Sequence, residues 1–120
     1  MTSFREVLEG VRRRVPETQV LMVLGADGLP IEKLVVNRSV PQDVMAAEFA
    51  RLFRASSSAS NDTGVGGLME LELRAEGLDV VMRTLTAEYF LFLALSPGAI
   101  AGRARFALRL AGLALEGEFA

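Results

Sequence analysis

The apolar positions of this chain change period in a definite order: one helical stretch, two strand-like stretches, a second helix, three strand-like stretches and a last helix. Phe4, Val7, Leu8, Val11 and Val15 recur at helical spacing behind the capping pair Ser3 and Glu6, and Pro16 closes the segment. The opposite side carries Arg5, Glu6, Glu9, Arg12 and Arg13, which reads as a solvated face. Val20 to Leu24 and Ile31 to Val36 flank Gly25-Ala26-Asp27-Gly28, the chemistry of a hairpin turn. Pro41 then suits the first turn of a helix capped by Ser39 and running to about Ala55. Ser56 to Gly67, rich in serine and glycine, reads as a mobile loop within the domain.

Leu71 and Leu73 alternate with Glu70, Glu72 and Arg74 in a half-buried third strand, and Gly77 turns the chain into a fourth, Val80 to Thr86. Tyr89 to Leu95 is apolar on both faces, as is strand one, so both belong inside a sheet covered above and below. The hairpin and the three-strand meander then join only along those two strands, giving the order 2-1-5-4-3 with strands two and three at the edges. Ser96-Pro97 opens the last helix from Gly98. There Ile100, Ala104, Leu108, Ala111 and Leu115 face the sheet, and Phe106, Leu110 and Leu113 form a second stripe toward helix one. The expected architecture is one α+β domain over residues 1–120, αββαβββα, with a five-stranded antiparallel sheet. Helices one and three lie on one face and helix two on the other.

That arrangement leaves one face short of cover. A five-stranded sheet spans on the order of 20 Å across its strands, whereas one helix with its side chains covers about 10 Å. On helix two, Met45, Ala46, Phe49, Ala50, Leu52 and Phe53 sweep an arc of roughly 160°, wider than the about 100° of a helix with one packing partner. Either the arc is one broad core face or a second copy covers part of it. The unclosed sheet favours the second copy, with Met45, Phe49, Leu52 and Phe53 at a dimer interface.

Composition narrows the chemistry. A net charge of -2 offers no field for nucleic acid or an anionic membrane, and 51% hydrophobic residues exceed what a lone domain of 120 residues needs inside. With no histidine and no cysteine, the usual zinc ligands, imidazole bases and thiol nucleophiles are missing, so no metal, no cofactor and no catalytic residue is expected. Charge at Arg5 and Glu6 and the lack of a long apolar run predict a cytoplasmic protein. Gly64-Val65-Gly66-Gly67 lacks the lysine and hydroxyl of a phosphate-binding loop. Glu70 and Glu72 share a strand face, a pattern that commonly protects an exposed edge, and Arg103, Arg105 and Arg109 fit a flank of the core better than an anion clamp.

The element order, the Asp27-Gly28 hairpin, the run Tyr89-Phe90-Leu91-Phe92-Leu93 to Ser96-Pro97-Gly98, and Gly102-Arg103-Ala104-Arg105-Phe106-Ala107-Leu108-Arg109 together resemble the Roadblock/dynein light-chain family in its bacterial form. The likeness runs from about Phe4 to Leu113 and is strongest from Gly67 onward. It departs from common members in the serine-rich stretch after helix two and in an alanine-rich last helix. The resemblance implies a profilin-like fold and a homodimer in which helix two and strand three, with Leu71 and Leu73, meet their partner copies. It also implies a noncatalytic regulator or scaffold of a Ras-like small GTPase. Glu48 and Arg51, on the charged side of helix two, are the expected partner-binding residues. An adaptor subunit without a GTPase, and a small-molecule sensor, are the alternatives.

Overall fold

The computed structural model describes residues 3–100 and 102–119. Helix α1 (Phe4–Arg14) leads into strands β1 (Thr18–Gly25) and β2 (Pro30–Val35), helix α2 (Gln42–Asp62), strands β3 (Glu70–Arg74), β4 (Asp79–Thr84) and β5 (Tyr89–Leu95), and helix α3 (Gly102–Leu115) with a short 3-10 turn at Glu116–Phe119. Every strand pair is antiparallel, in the order β2-β1-β5-β4-β3, as the pattern predicts.

Period two in the strands divides the core into two. Leu21, Val23, Val81, Leu91 and Leu93 face α1 and α3, packing on Leu8, Val11, Ala104 and Leu108. Val20, Met22, Leu24, Val80, Met82, Phe90 and Phe92 face the other way, toward Ala46, Ala50 and Phe53 of α2. β1 and β5 are therefore buried on both sides, which accounts for their continuous apolar runs.

Local chemistry sets the boundaries. The Ser3 hydroxyl accepts from the Glu6 amide at 3.1 Å to start α1. In the hairpin the Gly28 amide donates to the Gly25 carbonyl at 2.9 Å, and Gly28 takes φ 89°. A Cβ there would stand 3.4 Å from the Ala47 backbone, so glycine serves both the turn and the close seating of α2.

Four boundaries differ from expectation. The serine-rich stretch is helix rather than loop: α2 continues to Asp62. It stops where Gly64 adopts φ 77°, with the Gly64 amide on the Asn61 carbonyl and the Val65 amide on the Ser60 carbonyl, both at 3.2 Å. That is a Schellman stop, and nothing before Gly64 forbids a helix. At its other end Pro41 occupies the N-cap position without a side-chain bond, so Ser39 is not the cap. The last helix begins at Gly102 rather than Gly98, because Gly98 has φ 79° and donates its amide to the buried Asp79 carboxylate at 2.8 Å. Ala101 lies outside the described residues. β4 ends at Thr84, two residues early, because the Leu85 and Thr86 amides both turn to the Tyr89 carbonyl.

Candidate interaction surface

Helix α2 sits off-centre on its face of the sheet. Ala46 and Ala50 let its backbone close on the strands, Phe53 stacks on Phe90 with ring centroids 4.1 Å apart, and Phe49 tilts over Phe92 at 5.4 Å. One flank is tied to the β1-β2 hairpin: Lys33 lies 3.9 Å from Asp43, and the Arg54 guanidinium donates to the Ala26 carbonyl. With α2 held toward β1 and β2, the β3-β4 side of the same face is left with thin cover.

The consequence is an apolar trough between α2 and β3. Met45 and Phe49 form one wall and Leu71 and Leu73 the other, all half-buried, with Leu68 and Leu78 at the ends. Leu52 is 37% exposed and Met69 is 69% exposed along the same side. β3 ends the sheet order, so one of its backbone edges has no strand beside it among the described residues. Its opposite face is well anchored: Glu70 pairs with Arg83 at 3.0 Å, Glu72 with Arg105 at 3.2 Å, and Arg74 donates to the Ile100 carbonyl at 3.2 Å. The edge is thus held in place from below by α3 and β4 while its apolar side stays open.

Of the residues marked from sequence for an interface, Met45, Phe49, Leu52, Leu71 and Leu73 line this trough or its rim. Phe53 does not: it is 4% exposed and belongs to the chain's own core. Glu48 and Arg51 stand together on the outward side of α2, exposed and paired at 3.2 Å. Leu68 and Leu78 escaped notice because they flank β3 and β4 outside the strands, where period two no longer marks a face. The α3 arginines are partly accounted for: Arg103 pairs with Glu17 at 2.8 Å and Arg105 with Glu72, a structural use in both cases. The acidic face of β3 is likewise bound to arginine rather than left as a bare guard of the edge. No helix among the described residues is long and apolar enough to cross a membrane.

This geometry has relatives. Among solved structures, the chain is similar to the gliding protein MglB from Thermus thermophilus (TM-score 0.85, 19% identity, covering 98% of this chain and 90% of that one). It is similar to a Roadblock/LC7 domain from Streptomyces avermitilis (TM-score 0.82, 19% identity, 94% of each chain). It is also similar to MglC from Myxococcus xanthus (TM-score 0.69, 29% identity, 98% of this chain and 99% of that one). Comparison with curated protein sequences finds no match. The family model of the Roadblock/LC7 domain matches residues 5–96, from α1 through β5, and on that match the chain belongs to the Roadblock/LC7 domain family.

Proposed function

We propose that this protein is a noncatalytic homodimer that regulates or scaffolds a Ras-like small GTPase in the cytoplasm. The observation that carries the dimer is the trough between α2 and β3 with the unpaired β3 edge beside it. A second copy related by a two-fold axis at β3 supplies both missing parts at once: a strand for the open edge and a helix for the uncovered side of the sheet. Met45, Phe49, Leu52, Leu71 and Leu73 form the contact.

The GTPase reading is supported by family membership and by the likeness to MglB and MglC. The dimer presents two copies of the outward side of α2 next to each other, and Glu48 and Arg51 there meet the partner. Such a platform needs no catalytic group. It acts by holding the GTPase's switch segments in one arrangement, which is a positioning effect.

The test is titration of the purified dimer against the small GTPases of its source cell, loaded with each nucleotide in turn. Binding in one nucleotide state is expected, weakened by Glu48→Arg or Arg51→Glu with the dimer intact. An intact dimer that binds no GTPase in either state would replace this reading with that of an adaptor subunit.

A further inference from the structure

The layer made by α1 and α3 already covers its side of the core, yet its outer surface is apolar along one line. Of the expected stripe, Leu110 alone turns toward α1; Phe106 is 49% exposed and Leu113 is 62% exposed. Beside them the two helices enclose a groove of about 230 Å³. Its floor is Val11 and Ala107, and its walls are Gly10 and Arg14 of α1 and Leu110 and Ala114 of α3. Large apolar side chains raised beside a small-walled groove, on a face whose own core is closed, offer surface to another molecule.

Charge says which kind. Arg14 is the one charged residue lining the groove, and the Arg13 guanidinium lies over Gly10, 3.8 Å from where a Cβ would stand. Across the ridge, Arg109 is three residues from Phe106 and four from Leu113, so it shares their side of α3. All three arginines are exposed and have no carboxylate at ion-pair distance among the described residues, whereas Arg103 and Arg105 are held by Glu17 and Glu72. α3 contains no acidic residue. The exposed carboxylates of Glu6, one turn before Gly10, and of Glu116 and Glu118, beyond the last turn of α3, lie past the other end of the groove. The ridge is therefore bordered by unpaired arginine on both sides.

The walls decide the conformation of what fits. Both are helices whose backbone groups bond within themselves, so an extended segment would bring N–H and C=O groups into an apolar groove with nothing to meet them. A helix arrives with those groups satisfied. Phe106, Leu110 and Leu113 stand at i, i+4 and i+7, the spacing of a helix ridge, and Gly10, Ala107 and Ala114 leave room for the ridge of another helix beside it.

We infer that the α1/α3 face docks an acidic amphipathic helix of another protein. Its apolar stripe lies along Phe106, Leu110 and Leu113, with carboxylates on one border meeting Arg13 and Arg14 and on the other meeting Arg109. A second copy of α3 does not fit, because it brings arginine and no carboxylate to the same borders. A flat anionic lipid surface fits less well than a helix, because it leaves the groove unfilled. The contact is on the opposite side of the sheet from the α2–β3 trough, and it stands whether or not the α2 side meets a GTPase.

The experiment is an NMR titration of the isotope-labelled full chain with a stapled helical peptide of about four turns, carrying leucine at i, i+4 and i+7 and glutamate on both flanks of that stripe. Saturable binding of one peptide per chain is expected, shifting the amides of Gly10, Ala107, Leu110 and Leu113 and leaving those of α2 and β3 in place. Leu113→Glu should abolish it, and Arg14→Glu should weaken it on the order of tenfold. Arg12→Glu makes the same charge change on the β2 side of α1, beside Pro16 and Val36, and should weaken it by about twofold or less. The same peptide with lysine for each glutamate should bind the unmutated chain on the order of tenfold more weakly and regain affinity for the chain carrying Arg13→Glu and Arg14→Glu. Circular dichroism checks that each variant is folded. Absence of saturable binding, binding indifferent to Leu113→Glu, or equal loss in Arg12→Glu and Arg14→Glu overturns the inference. So does attachment of the chain to phosphatidylserine vesicles that the peptide does not displace, a result that gives this face to a membrane.

Discussion

The two faces of the sheet differ in how many helices each receives. On one face α1 and α3 lie together, and between them bury Leu21, Val23, Val81, Leu91 and Leu93 to completion. On the other, α2 alone seats over the same five strands, and Leu68, Leu71, Leu73 and Leu78 remain half-buried. A sheet on the order of 20 Å wide needs two helices a side. The chain is finished within itself on one side only. Where it is finished, the surplus apolar residues Phe106 and Leu113 stand out as a ridge; where it is not, they line a trough.

The sharpest way to separate core from interface is a pair of neighbours on α2. Phe53→Ala removes a ring stacked on Phe90 inside the chain and should cost about 3–5 kcal/mol, read as a large fall in melting temperature. Leu52→Glu, one residue away and on the rim, should leave each chain folded by circular dichroism while halving the mass of the particle it forms through α2 and β3. If Leu52→Glu unfolds the chain as Phe53→Ala does, the rim is core and the comparison fails.

Amide exchange sharpens it further. In the unmutated protein the β3 amides that point away from β4 should exchange slowly, because a partner strand covers them, and should speed up in Leu52→Glu. Amides of β1 and β5, paired on both sides within the chain, should change little. Equal exchange of the outer β3 amides in both proteins argues against a strand at that edge.

Much of this was legible in the residues, and the parts that were not have definite physical reasons. The strand order followed from two segments, Val20 to Leu24 and Tyr89 to Leu95, that are apolar on both faces and must lie centrally. The trough followed from counting helices per face. Helix ends were harder. Ser56 to Asp62 has the composition of a linker, yet serine and alanine permit a helix, and the deciding signal was the stop at Gly64. Ser96-Pro97 resembles a helix start, but the carboxylate of Asp79, distant in sequence, holds the Gly98 amide in a turn. Leu110 lines the seam with α1 as its period predicts, but Phe106 and Leu113 do not: they stand exposed while alanines fill the rest of the seam, a choice the period cannot express.

Smaller effects follow from those same local features. Gly64→Ala places a Cβ in the left-handed region and should cost about 1 kcal/mol, seen as a modest fall in melting temperature with no change in mass. Glu48→Arg and Arg51→Glu break an exposed ion pair worth less than about 1 kcal/mol, so stability and dimerisation should stay nearly unchanged. On the proposed function, their expected effect is on GTPase binding.

The central claim, that a second copy completes the α2 face at β3, has one direct measurement. The chain contains no cysteine, so single cysteines placed in turn at Glu70, Leu71, Glu72, Leu73 and Arg74 report on that edge alone. A disulfide needs Cα atoms within about 7 Å, a distance that only a strand paired with its own copy supplies near the two-fold axis. Under mild oxidation, at least one of the five should give covalent dimers far faster than Ile31→Cys on the opposite edge strand β2. If all five cross-link no faster than that control, β3 does not meet its copy.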